Sequence, residues 1–298
     1  MSAFVVVNPR SAGGRTRRDW HALERELASI FPHMSVAFTR YRGETVALVA
    51  AALREGHSEI VAVGGGGTIN EAVNGFFDAE GAVSPDAVLS FVPSGTDCAY
   101  CQALGGTDMR SIMHLKTGHI RPIDIGRVSF LTRDGLPRIR YFAGIASFGL
   151  TGALAEAAEG GLPGKLLGGL IARWRYRGRM VRLIVDSAYD EITDIATVAV
   201  ANGNIFSKEK NAEPDGEQFD VVIVANGPGA WRLADLKGLS AGEHRDHPAV
   251  CLLRGSKVVA APVAETCGRA VPLETDGESA GQLPATFEIL PRALNVRC

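Results

Sequence analysis

The stretch that most constrains this chain is Ile60-Val61-Ala62-Val63 running directly into Gly64-Gly65-Gly66-Gly67-Thr68, with a helical pattern over 69–77 behind it. A β-branched run that stops at glycines and continues with helical periodicity predicts strand, tight turn, helix. The helix N-terminus then faces whatever lies in the turn. Residues without Cβ let a ligand approach the backbone, and the free N–H groups with the positive end of the helix dipole favour an anion there. The turn reads as a phosphate cradle. Its spacing matches neither GxGxxG nor GxxxxGK[ST], so the plainer alternative is a packing turn of an ordinary α/β domain.

The same rhythm extends on both sides. Residues 4–7 read as a strand, followed by the loop Asn8-Pro9-Arg10-Ser11-Ala12-Gly13-Gly14 and a helix marked by Trp20, Leu23, Leu27 and Ile30. A strand over 35–39, a helix over 45–54 and a strand over 87–92 follow, the last entering a second glycine turn, Pro93-Ser94-Gly95-Thr96. Alternating strands and helices predict a mostly parallel sheet, and such sheets bind ligands beyond the carboxyl ends of their strands. The loops after the first, third and fourth strands would share that edge. Beyond Ile123-Asp124-Ile125-Gly126 the pattern changes to strands over 128–132, 138–143, 181–186, 197–201, 219–225 and 257–261, interrupted by one convincing helix over 162–176. We expect an α/β domain over 1–126 and a β-rich domain over 127–283, with the segment from about 284 to 298 able to return to the first.

At 298 residues the chain has room for two domains, and 46% hydrophobic with 21% charged residues is the composition of a soluble globular protein. A net charge of −2 argues against a general nucleic-acid binder. No run approaches the ~18 apolar residues of a spanning helix, and the first residues lack the basic region of a signal peptide. Five cysteines, an odd number without framework spacing, fit a reducing cytosol. Cys98 and Cys101 make a CxxC that lacks the second half of a zinc site, and His244 and His247 fall in a loop-like segment. Neither Ser94 nor Ser147 has a GxSxG context, so serine hydrolysis is not supported.

Asn8-Pro9 with Gly13-Gly14, then GGGGTINEAVNG from Gly64 to Gly75, the stretch from Pro93 to Gly105, Asp124-Ile125-Gly126, Asn202-Gly203 and Asp276-Gly277-Glu278 stand in one order. In that order they resemble the diacylglycerol kinase catalytic family, which includes bacterial soluble lipid kinases and sphingosine and ceramide kinases. The resemblance implies an NAD kinase-like α/β domain followed by a β-sandwich, with ATP and the lipid head group between them. It implies transfer of the ATP γ-phosphoryl group to a lipid hydroxyl with Mg²⁺. Carried onto this sequence, Asn8, Gly13 and Gly14 lie by the nucleotide. Gly64, Gly65, Gly66, Gly67 and Thr68 hold phosphate oxygens, and Ser94, Gly95 and Thr96 belong to the same nucleotide site. Glu71, on the first turn of its helix, reaches back toward them. Asp124 and Asp276 serve the metal, joined by Asp97 only if it has shifted to replace the acid of the second glycine motif, and Glu278 is the general base. An Asp and a Glu two apart point the same way if the segment is extended, so Asp276 and Glu278 would face one metal and one hydroxyl.

The sequence departs from the family pattern in three places. The acid of GGDGT is Gly66, the acid of the second motif is replaced across Asp97-Cys98-Ala99, and the glycine pair after Asn202-Gly203 gives way to Ser207-Lys208-Glu209-Lys210. Two readings follow. One is a working lipid kinase whose remaining acids hold Mg²⁺ in an altered arrangement, and the other a pseudokinase that binds nucleotide or lipid without turnover. The cluster Arg173, Arg175, Arg177, Arg179 and Arg182, interleaved with Trp174 and Tyr176, suits docking on anionic head groups of a bilayer, against a solvated surface as the alternative. The expected setting is the cytoplasm, at a membrane surface, with no nucleic-acid partner. Oligomeric state is not encoded in any motif.

Overall fold

The computed structural model describes residues 2–94, 112–159, 178–203, 216–226, 249–263 and 270–297. Gly95, Thr96, Asp97, the CxxC, the expected helix over 162–176 with Arg173, Arg175 and Arg177, and the two loop histidines lie outside them. The chain divides into two compact units, Met1–Ile125 with Pro291–Cys298, and Gly126–Leu290.

In the first unit β1 (Ala3–Val7) leads through a 3₁₀ turn, Ser11–Gly14, into α1 (Arg15–Ile30). Then come β2 (Met34–Phe38), α2 (Glu44–Arg54), β3 (Glu59–Gly64) and α3 (Gly66–Gly75). A small hairpin of β4 (Phe77–Asp78) and β5 (Gly81–Ala82) precedes β6 (Val88–Pro93). The strands run parallel in the order β2-β1-β3-β6. Continuous apolar runs suit a parallel sheet covered on both faces. On one face Val5, Val7, Val61 and Val63 pack on Trp20 and Leu27 of α1 and on Phe31. The helix expected from residue 69 begins three residues earlier, so two of the four glycines are helical and the turn itself is short.

Residues Asn295 and Val296 of the final strand pair in parallel with Val88 and Leu89. That attachment is locked by a buried charge. Glu59 at the start of β3 takes Arg297 Nε at 2.8 Å and its terminal nitrogen at 2.6 Å, and Ser90 Oγ donates to the same carboxylate at 2.5 Å. Removing one partner strands the other without compensation. Arg297→Ala should therefore cost about 3–5 kcal/mol of stability, measured by denaturant unfolding.

The second unit is antiparallel. β7 (Ile120–Leu131) runs into it and forms a hairpin with β8 (Pro137–Phe142). Strand β9 (Ile145–Gly149), helix Leu150–Glu159, β10 (Arg179–Val185), β11 (Tyr189–Asn202), β12 (Phe219–Ala225), β13 (Val250–Gly255), β14 (Lys257–Pro262), β15 (Pro272–Thr275) and β16 (Glu278–Arg297) complete it. Two long strands serve several neighbours: β11 pairs with β10, β12 and β9, while β16 pairs with β14 and β15. Inward-facing aromatics fill the space between the layers. Phe142 stacks on Phe219 at 5.8 Å and Phe148 on Phe287 at 5.9 Å. Sequence reading misses β9 and helix Leu150–Glu159, because the uncharged run over 141–155 has no clear period. It also misses β13, β15 and β16; Pro284 and Pro291 break the last of these into pieces that look like loops.

Candidate functional site

The carboxyl ends of β1, β3 and β6 carry three loops that bond to one another. Asn8 donates its N–H to Val63 O at 2.9 Å and its side-chain amide to Thr68 Oγ1 at 2.9 Å. Ser94 donates its N–H to Gly64 O at 2.8 Å and its hydroxyl to Ser11 Oγ at 2.7 Å, and Ser11 in turn approaches Asn8 O and Thr16 Oγ1. The convergence expected from the three glycine-bearing loops is present, and polar side chains fix it. Gly64 is required by close approach, since a Cβ there would stand 2.5 Å from Thr68 Oγ1. Gly65 and Gly66 are the opposite case: an added Cβ meets nothing within 4 Å. No side chain caps α3, so the N–H groups of its first turn have no capping side chain to satisfy them.

Two residues expected at the nucleotide have other work. Thr68 is buried and its hydroxyl accepts from Asn8, while the Asn8 side-chain oxygen, Oδ1, accepts the Arg10 N–H at 3.0 Å. Both tie loops together, which leaves the Gly65-Gly66 backbone as the open surface. Glu71 lies in the second turn of α3, not the first, and its carboxylate accepts the N–H of Gly43, ahead of α2, at 2.8 Å. Beside the Gly13-Gly14 turn is an open pocket of about 580 Å³ lined by Pro9, Arg10, Gly13, Gly14, Arg17, Thr39 and Arg40. Arg40 is committed to Glu44, its Nε at 2.8 Å, whereas Arg10 and Arg17 have no ion-pair partner among the described residues. Sequence reading passed over these arginines; their signal was only that they flank a glycine loop and a strand end.

In the second unit Asp276 and Gly277 join β15 to β16, with Thr275 opposite Glu278. Both turn residues have positive φ, 50° and 83°, the geometry of a type I′ hairpin. The segment is therefore not extended, and the expectation that Asp276 and Glu278 face one way by alternation fails. Asp276 Oδ1 accepts two main-chain N–H groups, from Gly144 at 3.1 Å and Ile145 at 2.9 Å. That makes it a residue that holds the turn through Oδ1. Glu278 stands half-buried at the first position of β16.

Next to the turn lies a group that no motif signals. Glu274 is buried, its Oε2 accepts the Gly277 N–H at 2.7 Å, and its Oε1 shares a short hydrogen bond with Ser147 Oγ. Burial pushes its carboxyl up from 4.5 to about 7, with Ser147 and the Gly277 N–H pulling the other way. A carboxyl that holds its proton more tightly folded than unfolded stabilises the fold fully below pH 4.5, and that contribution is lost as the pH rises to about 7. Denaturation measured across this window should show a decline on the order of 3 kcal/mol in the wild type and none in Glu274→Gln.

A divalent ion fits the described residues poorly. Among them no group of three or more His, Cys, Asp and Glu side chains comes together. Asp124 is buried and spends Oδ1 on the Arg292 N–H at 2.8 Å, Asp276 is committed as above, and position 66 lacks a carboxylate. Phosphate oxygens fit better, through the Gly65-Gly66 backbone and the Arg10 and Arg17 guanidiniums.

Comparison with known proteins agrees with this organisation. Residues 2–128 match the diacylglycerol kinase catalytic domain, and residues 166–298 match the YegS C-terminal NAD kinase beta sandwich-like domain. The diacylglycerol kinase of Staphylococcus aureus strain MRSA252 is 25% identical over 320 residues, covering 99% of this chain and 91% of that protein. That of Staphylococcus saprophyticus is 24% identical over 315 residues, covering 99% and 94%. Among solved structures, a diacylglycerol kinase from Bacillus anthracis superposes with a TM-score of 0.67 at 16% identity, covering 99% of this chain and 96% of that one. Yeast NADH kinase complexed with NADH superposes at 0.55 and 11% identity, covering 99% and 82%. The fold is accordingly an NAD kinase-like α/β domain followed by a β-sandwich, and it is the first of these, over residues 2–128, that matches the diacylglycerol kinase catalytic domain.

Proposed function

We infer that this protein is a lipid kinase that transfers the γ-phosphoryl group of ATP to the hydroxyl of a diacylglycerol- or sphingoid-like acceptor. The observation that carries the reading is the bonded convergence of the loops after β1, β3 and β6, with the open Gly65-Gly66 backbone on one of them and, beside the first, a pocket lined by Arg10 and by Arg17 of α1. N–H groups at a helix start and unpaired guanidiniums suit a triphosphate. In the reaction the acceptor oxygen bonds to the γ-phosphorus as the bond to the β–γ bridging oxygen breaks. ADP leaves and the hydroxyl proton passes to Glu278. Phosphoryl transfer asks a protein mainly for positioning and charge neutralisation, which this arrangement can supply. The kinase reading includes Mg²⁺ with ATP by family resemblance; since the described carboxylates do not gather, no step is assigned to the ion.

A bilayer acceptor implies action at a membrane surface, and we place the protein at the cytoplasmic face. No helix among the described residues is long and apolar enough to cross a membrane. Arg173, Arg175 and Arg177 remain the proposed contact to anionic lipid. Arg182 does not join them, because Asp190 holds its guanidinium at 2.8 and 2.7 Å.

The test is incubation with γ-labelled ATP, Mg²⁺ or Mn²⁺ and vesicles of total lipid extract. Label recovered in lipid supports the kinase. Measurable nucleotide binding by calorimetry with no labelled lipid supports the second reading, a pseudokinase serving as a nucleotide- or lipid-binding module. The missing acid at Gly66 is the observation that favours it.

A further inference from the structure

Glu274 is 8% exposed, and no cation pairs with it among the described residues. Its contact with Ser147 is the start of a chain. Ser147 Oγ lies 2.7 Å from Thr151 Oγ1, Thr151 Oγ1 lies 2.7 Å from Thr197 Oγ1, and Thr197 Oγ1 lies 3.0 Å from the carbonyl oxygen of Phe148. Glu274, Ser147, Thr151 and Thr197 thus make four contacts in series that end on an acceptor.

A proton count decides the state of this chain. Each contact needs one proton, the three hydroxyls supply one each, and a carbonyl supplies none. The fourth must come from Glu274. With Oε1 protonated, every link closes in one direction: Glu274 donates to Ser147, Ser147 to Thr151, Thr151 to Thr197, and Thr197 to Phe148 O. Oε2 is then the carbonyl oxygen and accepts the Gly277 N–H. An ionised carboxylate would leave two oxygens facing each other without a proton, beside a buried charge with no cation among the described residues.

We propose that Glu274 is a neutral carboxylic acid and a positioning residue: through Gly277 it fixes the Asp276-Gly277 turn and thereby the aim of Glu278. Asp276 holds the other side of the same turn through Gly144 and Ile145. The hydroxyl chain anchors this support to β9, helix Leu150–Glu159 and β11, three elements that cannot shift independently of the core. A turn bonded on both sides presents the next residue in one direction, as a proton acceptor requires. The consequence for catalysis rests on the kinase reading above.

Glu274→Gln preserves both halves of the arrangement, an amide N–H for Ser147 and a carbonyl for Gly277, whereas Glu274→Leu removes both. Two measurements need no turnover. Infrared difference spectra on the acid side of neutrality should show the carbonyl band of a buried carboxylic acid in the wild type and lose it in Glu274→Gln. Amide hydrogen exchange at Gly277 should stay slow in Glu274→Gln and quicken in Glu274→Leu. If the leucine variant fails to fold, Ser147→Ala serves instead: it removes the acceptor of the Glu274 proton and should move the acid band. In the labelled-ATP assay Glu274→Gln should keep kcat within about threefold, while Glu274→Leu loses about 100-fold in kcat with KM for ATP unchanged. No acid band in the wild type, or Gly277 exchange unaffected by leucine, overturns the proposal. A wild type that transfers no phosphate but shows the band and the protected amide overturns the kinase reading and leaves Glu274 as the residue that sets the turn.

Discussion

Replacing Glu278 by Gln is expected to lower phosphoryl transfer to lipid by about 10²–10⁴-fold, the usual contribution of a positioned general base. Glutamine matches the side chain in size but cannot take a proton from the acceptor hydroxyl. Glu278 follows a turn fixed by Asp276 and supported by Glu274, so the substitution alters chemistry at one end of a rigid hairpin and leaves its shape. The loss should fall on kcat. Nucleotide affinity should not change, because the glycine and arginine groups proposed to hold the phosphates belong to loops of the α/β unit. Calorimetric titration with ATP, run beside the labelled-lipid assay, separates the two effects. A Glu278→Gln protein with wild-type turnover would remove Glu278 from the proton transfer.

The parts of this protein that are legible in its sequence are those written in local periodicity and turn chemistry. Val and Ile runs that stop at glycines announce the parallel strands, and the change of rhythm after Gly126 announces the β-rich half. The three loops beyond the strand ends could be placed on one edge from strand and helix alternation alone. What binds them could not, because Asn8 meets Thr68 and Ser11 meets Ser94 across 60 and 83 residues. Asp276-Gly277 is a strong two-residue hairpin signal. Reading it as extended followed from seeking a shared direction for Asp276 and Glu278, where the turn chemistry should have prevailed. Glu274 had no signature at all: Ser147, Thr151 and Thr197 come from three separate elements, and only their packing reveals that a buried acid is supported. Asp124 shows the reverse, a motif acid whose environment is a main-chain N–H of the returning C-terminal segment.

Gly66→Asp should reverse the metal dependence of nucleotide binding without harming the fold. The position is the first residue of α3, its φ is outside the left-handed region, and a Cβ meets nothing within 4 Å, so aspartate enters without strain. A carboxylate in the first helical turn is favoured by about 0.3–1 kcal/mol through the dipole, and loss of a glycine restricts the unfolded chain by a further ~0.4–1 kcal/mol. Stability should therefore rise slightly. Binding is governed by a different balance. Without a divalent cation the new charge stands beside phosphate oxygens and repels them, so ATP affinity should fall about 10-fold, a change of ~1.4 kcal/mol. With Mg²⁺ or Mn²⁺ the carboxylate supplies the charged oxygen that hard cations require, and affinity should rise above the wild type by a similar factor. Turnover rising with it would identify the natural site as a kinase site that has lost its metal-organising acid. If metal-dependent affinity and turnover both stay at wild-type levels, position 66 is not where the ion is organised, and the natural glycine belongs to a working site that neutralises its phosphates by backbone and arginine.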